Sequence, residues 1–154
     1  MSLDNKQKIY SDLHLSFFDK ITQNKRDEML KVISDYLKND ILEDVLDIGT
    51  TEDVESNASN YIIKNLKDFK IYKSISDQEI STSFFKKKLK KSITVDFSND
   101  ELNEFKSDLV ISNATIEHVG SFENQIKFVK ECVRVSKSKI CINTPNRFFP
   151  IDSH

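Results

Sequence analysis

One short stretch, residues 43–53, constrains the fold of this chain more than any other. Its sequence is E-D-V-L-D-I-G-T-T-E-D, an apolar run that ends at Asp47 and Gly49, one of only two glycines in the 154 residues. Short apolar runs closed by a glycine turn are typical of buried parallel strands. A polar stretch that can open a helix follows. The pattern therefore predicts the strand, turn and helix beside which doubly wound α/β folds bind ligands.

Composition excludes several classes of protein. The formal net charge of −2 gives no overall basic field for nucleic acid or an acidic membrane. No apolar run approaches the roughly 20 residues that span a bilayer, and the polar N-terminus lacks a signal core. Cys132 and Cys141 fit no metal spacing, and we interpret them as reduced, buried thiols, a disulfide or redox role being the alternative. We expect a cytoplasmic protein without a resident metal, a nucleic-acid partner or a membrane span.

Hydrophobic periodicity predicts an α/β fold. Strands are predicted at residues 44–48, 70–76, 92–97, 107–112 and 139–143. Helices are predicted at residues 5–20, 25–37, 56–66 and 122–135, with a weaker helical pattern at 79–85. Strands separated by helix-length intervals predict a doubly wound, mostly parallel, Rossmann-like sheet with helices on both faces. Two N-terminal helices within residues 1–40 precede this core of residues 41–154.

The turn after the first strand is a candidate cofactor site. Gly49 lets the backbone approach a ligand closely because it has no Cβ, and Asp47 can accept hydrogen bonds from an ammonium group or from water. A dinucleotide site requires G-x-G-x-x-G, but its second and third glycines are missing here. The acidic residues near the helix start would repel a pyrophosphate and tolerate a cationic cofactor. The alternative is a plain strand turn with one glycine.

Two further acidic residues follow predicted strands. Asp77 can hold both hydroxyls of a ribose, as acidic residues do in doubly wound nucleotide sites; the alternative is a helix N-cap. Asp96 can accept from the exocyclic amine of an adenine, with Phe97 packed on the ring. For Asp96 and Phe97, the alternative is a solvated turn at residues 96–100 with the Phe97 ring in the core.

A run of four segments resembles the class I S-adenosylmethionine-dependent methyltransferases. The segments are V-L-D-I-G-T-T, the acidic residue after strand two, V-D-F, and S-D-L-V-I-S-N-A-T-I-E-H-V-G at residues 107–120. The chain is most similar to the small-molecule branch often called type 11, over residues 44–147, about two thirds of its length. The last segment is the most specific part of the resemblance.

The resemblance implies a cofactor, S-adenosylmethionine, and a set of residues that hold it. Asp47 and Gly49 would border the methionine moiety, with Thr50 in the same turn. The remaining assignments are Asp77 to the ribose, Asp96 and Phe97 to the adenine, and Asn113 and Ala114 to the sulfonium side. The N-terminal helices, with Tyr10 and Phe17, would form a lid. The implied activity is methyl transfer to a small molecule, for which a saccharide, a lipid and an envelope metabolite are candidates.

Glu117 and His118 are the catalytic candidates. His118 could take the proton of a hydroxyl acceptor, with Glu117 orienting its ring. The alternative is that His118 caps or packs at a loop end while Glu117 binds backbone amides; a metal at this pair lacks a clear third ligand. Two other functions remain open: a catalytically silent methyltransferase-like binding or scaffolding domain, and a nicotinamide-dependent oxidoreductase.

Two surface features complete the predictions. The basic run at residues 86–91 is interpreted as a solvated helix end leading into a strand, a nucleic-acid or lipid-headgroup patch being the alternative. Methyltransferases of this type usually continue into an antiparallel strand pair, so the resemblance implies a core shortened after His154. An uncovered sheet edge and the apolar pair Phe148-Phe149 would favour a homo-oligomer.

Overall fold

A computed structural model describes residues 3–53, 59–66, 68–92 and 96–145, the first seventeen of them by their backbone alone. The predicted C-terminal apolar tail lies outside these residues. The chain divides into two compact units, Met1–Asn39 and Asp40–His154.

The first unit is a single helix, α1 (Leu3–Leu37), so the prediction of two helices broken at residues 21–24 is wrong. The four residues between the predicted helices are polar or β-branched, but neither glycine nor proline precedes Gly49 to terminate a helix. Side chains also support the helix here: Gln23 donates to Asp27 one turn later, and Lys25 pairs with Glu28. The role of this helix as a lid stays a prediction.

The second unit contains a parallel sheet of five strands within the described residues. The strands are β1 (Asp44–Ile48), β2 (Ile71–Ser76), β3 (Lys87–Lys90), β4 (Ser107–Asn113) and β5 (Ser136–Asn143). Their order is β3-β2-β1-β4-β5, and every neighbouring pair is parallel. This order, 3-2-1-4-5, is that of doubly wound nucleotide-binding sheets. The prediction of an α/β fold with a parallel sheet is confirmed, as are the bounds of β1.

The helices of the second unit are short, apart from the last. They are α2 (Tyr61–Asn65), α3 (Asn99–Phe105), a 3-10 turn (Ile116–His118) and α4 (Phe122–Val135). The predicted bounds of α4 are confirmed, whereas α2 is shorter than predicted and residues 54–58 lie outside the described ranges. None of the helices described has the length and apolar character needed to cross a membrane.

The hydrophobic core is built on the central strands. All five residues of β1 are buried, as expected of a strand covered on both faces. Leu46 and Ile48 share one cluster with Val110 of β4 and with buried side chains of α3 and α4. The core therefore fixes β1 and β4 side by side, and their carboxyl ends meet at one edge of the sheet.

The third strand differs from its prediction. The lysine run itself forms β3, so the prediction of a helix end there is wrong, and residues 79–85 form no helix. Of the strand predicted at 92–97, residues 93–95 lie outside the described ranges and the other three are in no strand. An edge strand can carry lysines because one side of it faces water. Lys87 pairs with Glu104 at 3.5 Å and Lys90 lies 3.9 Å from Glu79, which favours the solvated-surface interpretation.

The amino ends of the strands hold an ion network centred on the buried side chains of Asp44 and Lys73. The Nζ atoms of Lys73 and Lys137 donate to the Asp44 carboxylate at 2.7 and 3.1 Å, and the N–H of Asp108 donates at 2.8 Å. Burial alone would raise the pKa of Asp44, but these hydrogen bonds outweigh it and lower the pKa to about 2. The network joins four strands at the end of the sheet opposite the candidate site.

Candidate functional site

The candidate site lies where the sheet changes direction, between the carboxyl ends of β1 and β4. In sheets of this order, ligands bind in the crevice outside these strand ends. Gly49 leaves β1 with a φ of 96°, and its N–H donates to the carbonyl of Ile75 at 2.8 Å. Asn113 and Ala114 close β4. Asp47 and Asn113 lie within these two strands, and Gly49 and Ala114 directly follow them, so four of the predicted site residues flank the crevice.

Gly49 is required by a close contact within the chain. A Cβ at this position would lie 2.0 Å from Oγ1 of Thr115, far inside van der Waals contact. The Thr115 hydroxyl lies 3.3 Å from the carbonyl of Ile48 and 3.1 Å from that of Asn113, to which it can donate. Thr115 had no predicted role, because the side chain that packs on a glycine cannot be identified from local sequence pattern.

Replacing Gly49 with alanine should lower the free energy of unfolding by about 2 kcal/mol or more, from backbone strain and from displacement of Thr115. Urea denaturation of the purified variant measures the effect. A Gly120→Ala variant is the matched control: the φ of Gly120 is also positive, at 90°, but the nearest atom, Nδ2 of Asn124, is 3.5 Å from the added Cβ, an ordinary van der Waals contact. Equal losses at both positions would show that the contact with Thr115 adds nothing to the strain.

Asp47 is a buried carboxyl group beside the turn. It is 6 % exposed, and Oγ1 of Thr50 donates to its Oδ2 at 2.8 Å. Burial raises the pKa of Asp47 from the ordinary 3.8 to about 6, and the Thr50 hydrogen bond offsets only part of that rise. Above this pH the site holds a largely dehydrated negative charge. A carboxylate so placed is stabilised by any cation that reaches it, and strongly shifted pKa values are typical of functional sites.

Hydrogen bonds tie the loop after β1 to the end of β2. Ser76 Oγ donates to the carbonyl of Thr50 at 2.6 Å and accepts from the N–H of Gln78. Gln78 Oε1 in turn accepts from the N–H of Glu52 at 3.1 Å. Asp77 lies between these two anchoring residues with an exposed side chain. No helix follows it in the described chain up to β3, so the helix N-cap alternative for Asp77 is wrong.

The Asp96–Phe97 turn is held from α4 and lies in no described strand. The N–H of Phe97 donates to the buried carboxylate of Glu131 at 2.9 Å, and Arg134 donates to the Phe97 carbonyl. The Phe97 ring is 5 % exposed and belongs to the core cluster. This agrees with the alternative prediction, in which Phe97 lies in the core. Asp96 is exposed and pairs with Lys127 at 2.8 Å. The buried ring therefore offers little surface to a ligand.

The segment after β4 places the two catalytic candidates in different surroundings. Oε2 of Glu117 accepts from Oγ1 of Thr144 at 3.4 Å, while its Oε1 is enclosed without a hydrogen-bond partner. His118 is exposed, and within the described residues no hydrogen bond joins it to Glu117. The preceding Ala114 has a φ of 52°, an uncommon conformation for a residue with a Cβ. The orienting role of Glu117 stays a prediction.

Other chemistry finds little support in the described part of the chain. No group of three or more histidine, cysteine or acidic side chains there is arranged to hold a metal ion. Burial raises the pKa of the Cys132 thiol to about 12, and burial also raises that of Cys141. Because the thiolate is the reactive form, neither cysteine is set up as a nucleophile.

No protein-family model matches the chain, and no curated protein matches its sequence. The features that bear on function are therefore the order of the strands and the residues at the crevice: Asp47, Gly49 and Thr50 on one side, Asn113 and Ala114 on the other, and Asp77 at the end of the neighbouring strand.

Proposed function

We propose that the crevice between β1 and β4 binds S-adenosylmethionine and that the chain transfers its methyl group to a small molecule. The observation that carries this proposal is the 3-2-1-4-5 parallel sheet, whose change of direction lies between Asp47–Gly49 and Asn113–Ala114. Doubly wound sheets bind nucleoside cofactors at this position. The resemblance of residues 107–120 to the methyltransferases supports the choice of cofactor.

The charges around the crevice favour a cationic cofactor over a pyrophosphate. Asp47 is buried and Asp77 is exposed, each at or near the end of its strand. Glu52 and Asp53, also exposed, lie where a pyrophosphate would need glycine N–H groups and a helix N-terminus. A ligand with an ammonium and a sulfonium group and no phosphate avoids the repulsion that these carboxylates would impose on a dinucleotide.

In this proposal each residue has one task. Asp47 accepts hydrogen bonds from the ammonium group, and Asp77 from the two ribose hydroxyls. When bound, the cofactor supplies a methyl group activated by positive sulfur. His118 is exposed near the carboxyl end of β4, where it can take the proton that a hydroxyl or amine acceptor loses. The enzyme otherwise acts by holding the two reactants in line.

Isothermal titration of the chain with S-adenosylmethionine, S-adenosylhomocysteine and NADH tests the proposal. We expect micromolar affinity for the first two ligands and no binding of NADH. Asp77→Ala should weaken the affinity for S-adenosylmethionine by about tenfold or more, since two hydrogen bonds to a charged group are lost. Asp68→Ala is the matched control, because Asp68 is also exposed but precedes β2. Unchanged affinity in a folded Asp77→Ala variant would remove Asp77 from the site.

One observation favours the second candidate, a silent methyltransferase-like binding domain. The space beside Gly49, where a Cβ would be, is occupied by the side chain of Thr115. The absent Cβ therefore makes room for a side chain of the protein and not for a cofactor. Failure of a folded sample to bind any of the three ligands would support this candidate, whereas turnover with any methyl acceptor would exclude it. Binding of NADH alone would favour the oxidoreductase.

A further inference from the structure

The outer face of α4 carries exposed apolar side chains. Phe122 is 71 % exposed, Ile126 42 % and Val133 55 %, and Val129 is half-buried. We name these four residues the α4 stripe. The helix packs into the core through a different face, formed by Phe128, Cys132 and Val135 together with Glu131. Large apolar side chains grouped on a surface are typical of an interaction site.

The spacing of the α4 stripe is that of a helix–helix seam. Its members are separated by four, three and four residues, the alternation that places side chains at the a and d positions of a heptad. Phe122 and Val129 take d positions, and Ile126 and Val133 take a positions. An average spacing of 3.5 residues keeps such a row facing one partner helix along its whole length. The stripe therefore fits another helix better than it fits an extended peptide.

The charges beside the stripe identify a second copy of α4 as that helix. The two e positions hold Glu123 and Lys130; both are exposed, and neither forms an ion pair within the described residues. Glu123 takes only local hydrogen bonds, from its own N–H and from Ser121. When two helices pack antiparallel, e positions face e positions, so Glu123 of each copy faces Lys130 of the other. Parallel packing would place e positions opposite g positions. The g positions of α4 hold Gln125 and the buried Cys132, neither of which carries a charge that could pair with Glu123 or Lys130.

We propose that the α4 stripe is the contact surface of a symmetric homodimer in which two α4 helices pack antiparallel. A twofold axis near the middle of the helix brings Phe122 against Val133 and Ile126 against Val129 of the partner, and makes both Glu123–Lys130 pairs at once. The surface is distinct from the β5 edge expected from the sequence, and the proposal is independent of the proposed function.

The size of the stripe sets the expected strength of the dimer. A helix of 14 residues is about 21 Å long, and four side chains on it bury less than the roughly 800 Å² per partner of a standard interface. Standard interfaces range from micromolar to picomolar affinity, so for this smaller one we expect a dissociation constant of roughly tens of micromolar, with monomer and dimer in rapid exchange.

Sedimentation velocity over a concentration series spanning that range tests the proposal. The unmodified chain should dimerise, and Ile126→Asp should weaken the dimer by roughly tenfold or more, because a carboxylate is then buried at the seam. Ile41→Asp is the matched control: Ile41 is 94 % exposed and lies outside α4. Circular dichroism confirms that each variant keeps its helix content.

Charge reversal tests the antiparallel arrangement separately. Glu123→Lys alone and Lys130→Glu alone should each weaken the dimer by roughly three- to tenfold, since each creates two like-charge contacts. The double variant restores both ion pairs and should recover the original dissociation constant. A monomer at every concentration, a dimer that Ile126→Asp leaves intact, or a double variant as weak as the single ones would each overturn the proposal.

Discussion

Replacing Asp44 with alanine should lower the free energy of unfolding by about 3–5 kcal/mol, because the change leaves the ammonium group of Lys73 buried without its carboxylate. The side chain of Lys73 is 6 % exposed, and besides Asp44 it donates to the carbonyl of Lys106. The N–H of Asp108 loses its acceptor as well. Urea denaturation at pH 7 measures the loss, because the midpoint falls in proportion to stability when the slope is unchanged.

Glu43→Ala is the matched control for Asp44→Ala. Glu43 is the preceding residue and also pairs with a lysine, Lys70, but the two side chains are 61 % and 73 % exposed. Ion pairs of this kind contribute about 0–1 kcal/mol. If the two variants lost equal stability, the ion network at the amino ends of the strands would have no special role.

The same network predicts how the fold responds to acid. The pKa of Asp44 is lowered from 3.8 to about 2 in the folded chain, so its contribution is present above pH 3.8 and is lost as the pH falls towards 2. Lys73 and Lys137 then lose their shared partner together. Acid should therefore loosen the four strands at the amino ends of the sheet.

Local pattern was sufficient for the elements that form the core. The apolar run of β1 and the amphipathic period of α4 each predicted their bounds, because burial dictates those residues directly. β3 was misplaced because lysines at an edge strand resemble an ordinary charged surface. α3 was missed although its signal was present, since Ser98 and Glu101 form a capping box at its start.

The candidate site was predictable only where its residues are neighbours in sequence. Asp47, Gly49 and Thr50 lie in one turn, and the turn itself brings them together. The contacts that shape the crevice join distant residues: Ser76 reaches Thr50 across 26 positions, and Thr115 packs on Gly49 from the end of another strand. Such pairs depend on which strands become neighbours, and periodicity in a single sequence does not contain that information.

Stability and the candidate site impose opposite demands on two aspartates of the same strand. Asp44 is paired with lysines and stabilises the fold, whereas Asp47 is buried with a single hydroxyl donor, Thr50, identified beside it. A carboxyl group whose pKa rises from 3.8 to about 6 costs stability once it is ionised, because the unfolded chain gives up that proton more readily. The cost is absent below pH 3.8 and complete above pH 6.

Asp47→Asn should therefore stabilise the folded chain at pH 8 by about 2–3 kcal/mol and give no such gain at pH 4. The amide keeps the shape of the side chain and can still accept from Thr50, but it carries no buried charge. Urea denaturation at the two pH values measures the difference. Asp77→Asn is the matched control, since Asp77 is exposed at the end of the next strand and surface changes of this kind stay within about 0.5 kcal/mol.

Titration of Asp47→Asn with S-adenosylmethionine shows whether the Asp47 carboxylate binds the cofactor or has no part in binding. If Asp47 binds the ammonium group, Asp47→Asn is more stable than the unmodified chain yet binds the cofactor roughly tenfold or more weakly, since a hydrogen-bonded charge is removed. The affinity of the unmodified chain should then rise between pH 5 and about 7, as Asp47 loses its proton at a pKa of about 6. Full affinity in a stabilised Asp47→Asn variant would place the ammonium group elsewhere in the crevice. A stabilised variant of weakened affinity would show that the chain keeps a costly buried charge because the cofactor uses it.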